Sequence, residues 1–563
     1  MRKDLYTNGS VDIPKISRKR SFFDLSHSSH IDMNVGILYP VDQVIMIMPG
    51  DTFDYSHRLN IRMTNPPKTP TMDQLVLDLY YFYVPNRIVW DHWDQFITNN
   101  SGNFYVNANY TIPTLDVQGA STSTYFNSLS CSLLDYLGYG GIGTLGAALD
   151  SKCNPSALPS RGYYKIWNEY FRYESLQTEI LVPTNDTIIT PFLTMATTLT
   201  YYEAACATNT SYFTTFIAQP LFMNVLAPVN RLPGYFSRSL PQPLAGSDVK
   251  ILEDIQIGVS GKAVKFNFDD EVVSGSPLKV LSSSASTTMY EPVGDAGLVS
   301  ISGSLGSSTS NTIRALSNAF ALNKFLYIDN LYGKRITEWT YGHFGVNVPD
   351  SRVQRPEFLA KKRVYININQ IMQSSATDST SPQGNAGAWS QTFDKGHDFT
   401  KSFVEFGYLF TLGCIRVLNH SYSQGIDRHW SYRSRYDFPL LEFSNVGDQE
   451  VYGREIYFDS STPLYTWGYQ ERFAEAKMIP SRVAGLMRPQ VPGTLAIWTY
   501  TDLYTAKPTL SATWIMEPRN NIDRTLFFNQ YTAPAFILDY VADIKSYRTL
   551  PYHSVPGGLT GSW

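Results

Sequence analysis

The sequence predicts a mainly β protein, and three observations carry that prediction. Dense runs of branched and aromatic residues recur along the chain, and helical spacing is confined to three short stretches. Eight or so strands of roughly 5–10 residues would use only a small part of the 563 residues, so most of the chain is connection. A double-sheet jelly roll accommodates that pattern, because its two sheets keep their core while long loops leave from the ends. We therefore expect an eight-stranded antiparallel jelly roll with long inserted loops and a few short helices.

The elements follow in order. Residues 44–48, ended by Pro49-Gly50, and residues 75–84, ended by Pro85-Asn86, read as strands. The second is so uniformly apolar that both of its faces should be covered. Residues 363–371, where Val364, Ile366 and Ile368 alternate with other side chains, and residues 403–417 continue the series. Residues 495–500, 510–516 and 536–541 complete it. Helical spacing joins Trp90, Trp93 and Ile97 over 86–97, Ile166, Tyr170 and Tyr173 over 163–176, and Leu316 and Phe320 over 314–327. Residues 1–34 are polar, with six Lys/Arg against two Asp up to Arg20. They read as a basic, partly extended arm before a single domain over 35–563. Residues 246–311 break the composition, ending in a Ser/Thr/Gly tract that cannot bury a core and reads as loops or an excursion.

Bulk properties exclude more than they assign. A net charge of −4 rules out bulk electrostatic attraction to nucleic acid, leaving only local patches. Aromatics make up 14% and charged residues 17%, against roughly 25% charged in ordinary domains. Such a balance suits a surface hidden against neighbours, and an aromatic-rich β protein would show it too. Cys131, Cys153, Cys206 and Cys414 are scattered without a C-x-x-C, as free thiols in a reducing compartment would be. Neither a secretion signal nor a membrane-spanning run is expected.

Chemistry-bearing motifs are sparse. Gly138, Gly140 and Gly143 match G-x-G-x-x-G, but a dinucleotide site needs a strand before and a helix after. The mixed stretch before and Pro155 and Pro159 after it favour a glycine turn. His27 and His30 lack a third ligand. Asp51, Asp54 and His57, and Asp91, His92 and Asp94, are accounted for by turn and helix-surface roles. No catalytic residue, metal ligand or cofactor is expected. Two segments do suit nucleic acid. Lys15, Arg18, Lys19 and Arg20 would neutralise phosphates from a flexible tail, or form only a solvated terminus. Arg428, Trp430, Arg433 and Arg435 interleave cations with aromatics, as single-strand binding requires. The same arginines would equally serve carboxylates or rings within the protein or across subunit contacts.

Several unusual phrases occur in fixed order: Tyr81-Phe-Tyr-Val-Pro-Asn-Arg87, Tyr235-Phe-Ser-Arg-Ser-Leu-Pro-Gln-Pro243, and Phe344-Gly-Val-Asn-Val-Pro-Asp-Ser-Arg-Val-Gln-Arg-Pro-Glu-Phe-Leu359. Gln424-Gly-Ile-Asp-Arg-His-Trp430, Gly468-Tyr-Gln-Glu-Arg-Phe-Ala-Glu475, Pro480-Ser-Arg-Val-Ala-Gly-Leu-Met-Arg488 and Tyr552-His-Ser-Val-Pro-Gly557 follow. Each mixes Pro, Gly, Arg and aromatics as irregular, interlocking loops require. The series resembles the major capsid protein of microviruses, small single-stranded DNA phages, and among them the gokushovirus-like branch.

That resemblance implies a jelly roll of the viral capsid type and a non-enzymatic subunit that assembles into a T=1 icosahedral shell around circular single-stranded DNA. It places the protein in the virion, after assembly in the bacterial host cytoplasm. The implied partners are other copies of the chain, a phage scaffolding protein, a DNA pilot protein and a small basic DNA-binding protein. Packaged single-stranded DNA and a host surface receptor met through protrusions complete the implied set. Residues 99–129, 184–231 and 246–311 depart from the family pattern, and 246–311 is the favoured protrusion. The rival reading is a carbohydrate-binding or carbohydrate-active β protein. Abundant Tyr and Trp would suit it, but no convincing pair of carboxylates on one strand face is visible.

Overall fold

The computed structural model describes residues 19–99, 110–115, 132–139, 154–186, 225–246, 281–283, 286–288, 313–372, 374, 384, 386–462, 464–526 and 534–553. In chain order its strands begin with β1 (Ser21–Asp24), β2 (His27–Met33), β3 (Tyr39–Pro40), β4 (Ile45–Ile47), β5 (Thr52–Met63) and β6 (Leu75–Pro85). A small hairpin, β7 (Leu281–Ser283) and β8 (Ser286–Thr288), comes next. Then follow β9 (Glu357–Ile366), β10 (Ile368–Met372), β11 (Ala386–Ser402) and β12 (Gly407–Val417). The last are β13 (Ser421–Tyr422), β14 (Asp448–Tyr452), β15 (Thr466–Glu471), β16 (Ser481–Arg482) and β17 (Phe536–Arg548).

Two antiparallel sheets hold the fold. In one, β1 and β2 pair with β17, followed by β5, β11 and β10; in the other, β3 and β4 pair with β12, followed by β6 and β9. The pairing is nested: β2 with β17, β3 and β4 with β12, β5 with β11, β6 with β9. First joins last and each next pair closes inside the one before, which is jelly-roll connectivity.

Alternation explains the first sheet. Phe53, Tyr55, His57, Leu59 and Ile61 of β5 point inward, as do Phe536, Leu538, Tyr540, Ala542 and Ile544 of β17. They meet Leu75, Leu77, Leu79 and Tyr81 of β6 in one core between the sheets. β6 and β12 are buried on both faces, as their composition predicts. Their outer residues Phe82, Val84, Phe410, Leu412 and Cys414 pack under the helices Asn86–Val89 and Leu158–Ile166 and the π-helical turn Trp167–Phe171. Each such large apolar side chain, fully buried, contributes about 1.5–3 kcal/mol.

Several expectations need correction. Residues 495–500 form a 3-10 turn around Ala496–Trp498, not a strand, because the Thr494 hydroxyl accepts from the Ala496 N–H and donates to the Arg488 carbonyl. Residues 510–516 are a turn whose Ser511 Oγ accepts from the Trp514 N–H. The strand expected at 363–371 is two strands in different sheets, divided at Asn367. The helix expected over 86–97 breaks at Trp90, whose buried indole donates to Asp186 at 2.6 Å. The helix expected over 163–176 starts at Leu158, because Pro159 occupies a first-turn position that needs no amide donor.

Asp54 and His57 lie on β5 rather than in a turn. Part of the arm is a sheet edge: β1 and β2 pair with β17, while residues 1–18 lie outside the described residues. Gly138 has φ +87 after the helix Leu133–Tyr136, so a helix precedes the glycines where a nucleotide site needs a strand; Gly140 and Gly143 lie outside the described residues. Cys414 is free and buried, and the other three cysteines also lie outside.

Residues Leu244–Leu331 form a second compact unit containing β7, β8 and nearly all of the helix Ile313–Tyr332. Of the stretch expected to leave the main body, 246–311, only residues 246, 281–283 and 286–288 are described, and the rest lie outside the described residues. Among the described residues, no helix is long and apolar enough to cross a membrane.

Candidate assembly surface and nucleic-acid segments

The irregular phrases meet in space. β14 pairs with β15, and β15 carries the phrase starting at Gly468. Leu240 and Tyr469 exchange backbone hydrogen bonds at 2.8 Å, and the Gln470 amide donates to Ser239 Oγ at 2.8 Å, joining the 235–243 and 468–475 phrases. Tyr235 donates to Glu455 at 2.8 Å, and Tyr432 donates to Glu475 at 2.6 Å. Arg482 reaches Asp427 at 2.9 Å, tying 480–488 to 424–430. Beneath them Tyr235, Phe236, Val451, Ile456, Trp467, Trp514 and Ile515 form a third apolar cluster. Gly425 permits one of the closest approaches, since a Cβ there would stand 1.8 Å from the Glu455 carbonyl oxygen.

The second segment expected to suit nucleic acid divides into two parts. Arg428 turns inward, lying 3.6 Å from Glu455 and 3.5 Å from Glu475 and donating to the Glu450 carbonyl. Arg433 and Arg435 are exposed, and Trp430 is 71% exposed. Arg435 lies over the Tyr436 ring at 4.7 Å. Beside them stand Tyr436, Phe438, Leu441 (87% exposed) and Val446 (70%), an apolar surface that the sequence reading missed. The Phe438-Pro-Leu-Leu441 run, flanked by polar turns, was the available signal. Exposed apolar groups collected in this way mark an interaction surface. Of the basic tail, Lys19 and Arg20 are described and exposed, with Arg20 donating to Thr52 at 3.1 Å; Lys15 and Arg18 lie outside the described residues.

Two buried polar networks stiffen the frame. In one, Arg231 pairs with Asp502, which also accepts from Tyr504 at 2.8 Å. His420 lies 3.0 Å from Glu517 and 3.5 Å from Asp502. Burial opposes the charge on His420 and Arg231 repels it, but Glu517 and Asp502 outweigh both and raise the imidazole to about 9. The other network crosses the double sheet. His27 bonds Asp42 at 2.8 Å, Tyr55 donates to Asp42 at 2.7 Å, and Tyr540 links Tyr55 to Tyr81 at 3.2 Å on each side. A β-bulge between His397 and Phe399 turns Asp398 inward to His57 at 2.8 Å, while Asp394 takes the other imidazole nitrogen at 3.0 Å. His27 and His30 part company: His27 bonds inward to Asp42, and His30 meets Asp539 at 3.1 Å on the surface. His27 and His57 are members of the hydrogen-bonded frame.

Comparison with known proteins matches the sequence to a family. The sequence model of the capsid protein (F protein) family matches residues 11–558. This chain belongs to the microvirus capsid-protein family. It is 31% identical to capsid protein VP1 of Chlamydia phage 1, across 98% of this chain and 97% of the relative. It is 30% identical to VP1 of Bdellovibrio phage phiMH2K, across 97% of each. VP1 of Spiroplasma virus 4 is 27% identical, across 96% of this chain and 95% of the relative. The family is structural, and this capsid chain accordingly carries its similarity over the sheets and the interlocked loops alike rather than over a single cleft.

Proposed function

We propose that this capsid protein is a non-enzymatic shell subunit, one copy at each equivalent position of a T=1 icosahedral particle enclosing circular single-stranded DNA. The observation that carries the reading is a full-length family match falling on a jelly roll. The exposed apolar surface at Tyr436, Phe438, Leu441 and Val446 supplies area for burial against neighbouring copies. Obligate interfaces of this kind bury about 2,000–5,000 Å². Closed symmetry is needed because contacts that do not close build filaments.

Lys15, Arg18, Lys19 and Arg20, with Trp430, Arg433 and Arg435, are the proposed contacts to packaged DNA. The exposure of Arg433, Arg435 and Trp430 supports them; Arg428 is better suited to bracing the loops. Residues 246–311 are the proposed protrusion toward a host receptor, their Ser/Thr/Gly-rich composition and departure from the family phrases supporting that role. Assembly in the host cytoplasm with a scaffolding protein, a DNA pilot protein and a small basic DNA-binding protein completes the proposal.

Nuclease treatment of purified particles, followed by symmetry-averaged imaging, tests the proposal. Protected single-stranded DNA inside an icosahedral shell is expected. Empty or helical assemblies, or DNA freely digested in intact shells, would contradict it.

A further inference from the structure

β6, β9, β12 and the turn Trp167–Phe171 line a cleft of about 290 Å³. Its size lies at the lower end of small-ligand sites. Aromatic rings form the walls: Tyr80 and Phe82 from β6, Tyr170 and Phe171 from the turn, and Phe358 from β9. The Tyr80 and Phe171 centroids are 5.0 Å apart, and those of Phe82 and Tyr170 are 4.8 Å apart. Phe358 is 41% exposed, so the aromatic wall reaches solvent.

Three arginines, Arg172, Arg231 and Arg416, complete the charged part of the lining. Asp78 is one carboxylate serving three cations: Arg363 at 2.6 Å, Lys361 at 3.6 Å, and Arg416. Arg416 is buried, and among the described residues its Nε has no hydrogen-bond partner. Arg172 donates only to the carbonyls of Asn168 and Gln177, and among the described residues no carboxylate pairs with it. Burial, and then the neighbouring Arg335 guanidinium, lower its affinity for a proton, while Glu179, Glu174 and Glu169 act only through space. Arg231, the other lining arginine, is matched by Asp502. An aromatic-walled cleft with a lining guanidinium, Arg172, that no described carboxylate directly pairs suits an anion with a flat apolar body.

We propose that the cleft binds one deoxynucleotide, its base among the aromatic rings and its phosphate toward Arg172. The planar guanidinium fork suits phosphate, and ring walls favour a planar base over a puckered acidic sugar. The shell reading supplies the source, a nucleotide within the enclosed strand, and the cleft is a DNA contact that neither basic segment includes.

The test is titration of the purified full-length chain with dTMP, thymidine, inorganic phosphate, glucuronate and a short oligodeoxythymidylate. dTMP and the oligonucleotide should bind and compete with each other, with thymidine and phosphate each at least about tenfold weaker. Arg172→Gln and Phe358→Ala should each weaken dTMP binding by about tenfold while still yielding closed particles. An oligonucleotide that binds without displacing dTMP would remove the strand as the source. Failure of both dTMP and oligonucleotide to bind, in protein that still forms particles, overturns the cleft and leaves the shell reading standing. Glucuronate binding more tightly than dTMP, or thymidine binding equally, also overturns it. Loss of particles by the unaltered chain would strike the shell reading instead, and the dTMP titration would still decide the cleft.

Discussion

Along β5 and β17 the inward side chains are apolar except His57 and Ser546, whereas the loop layer around residues 421–516 is held by several buried charge pairs: Arg231 against Asp502, His420 against Glu517, and Arg428 against Glu455 and Glu475. In the double sheet, stability is spread over many equivalent contacts. In the loop layer it is concentrated in a few partners, and removing one leaves another charge buried alone. The first kind of region tolerates trimming; the second depends on particular pairs.

The largest expected effect follows from that dependence. Asp502→Ala should destabilise the soluble chain by about 3–5 kcal/mol in chemical denaturation, because Arg231 loses its counter-charge in the interior. Joint replacement of Arg231 by Met and Asp502 by Leu should recover much of that loss. A single-variant cost below about 1 kcal/mol would break the contrast between the regions. The next effect is on pH. His420 is raised in the folded chain from 6.5 to about 9, so its contribution is complete below pH 6.5 and is lost as pH rises toward 9. Its size is up to roughly 3 kcal/mol. His27 is raised to about 9, first by its bond to Asp42, and weakens over the same interval. A His420→Gln chain retaining the full alkaline loss would show that other groups cause it.

Gly425→Ala sharpens the comparison within the loops. Its Cβ would collide with backbone rather than with a movable side chain, at a cost of about 1–3 kcal/mol. In the sheet, Ile544→Val should cost only about 0.5–1.5 kcal/mol, since one methylene leaves a core of many contacts. Smallest of all, Arg433→Ala and Arg435→Ala should change stability by no more than about 0.5 kcal/mol, both being exposed. Their effect should appear in packaged DNA content and its salt sensitivity, measured on purified particles.

The same contrast governs what the sequence discloses. β6 and β12 are legible because they are covered on both faces, and so are written as nearly unbroken apolar runs. β5 and β11 are not, because one face carries Asp54, Arg58, Arg62 and Lys395, and inward positions hold His57 and its partner Asp394. Apolar runs mislead at 495–500 and 510–516, where hydroxyl-to-backbone bonds replace a ladder. The loop phrases are recognisable as text. That Arg428 would brace Glu455 and Glu475 while Arg433 stays free of them depends on contacts between phrases far apart in the chain, which no local spacing encodes. The cleft is hidden for the same reason: its lining comes from β6, 170–173, 229–233, β9 and β12.

Imaging of the expressed full-length chain, alone and with the proposed scaffolding protein, tests the central claim most directly. Closed particles of uniform diameter and icosahedral symmetry are the expected result. A chain that stays monomeric under both conditions, folded and stable, would contradict the account.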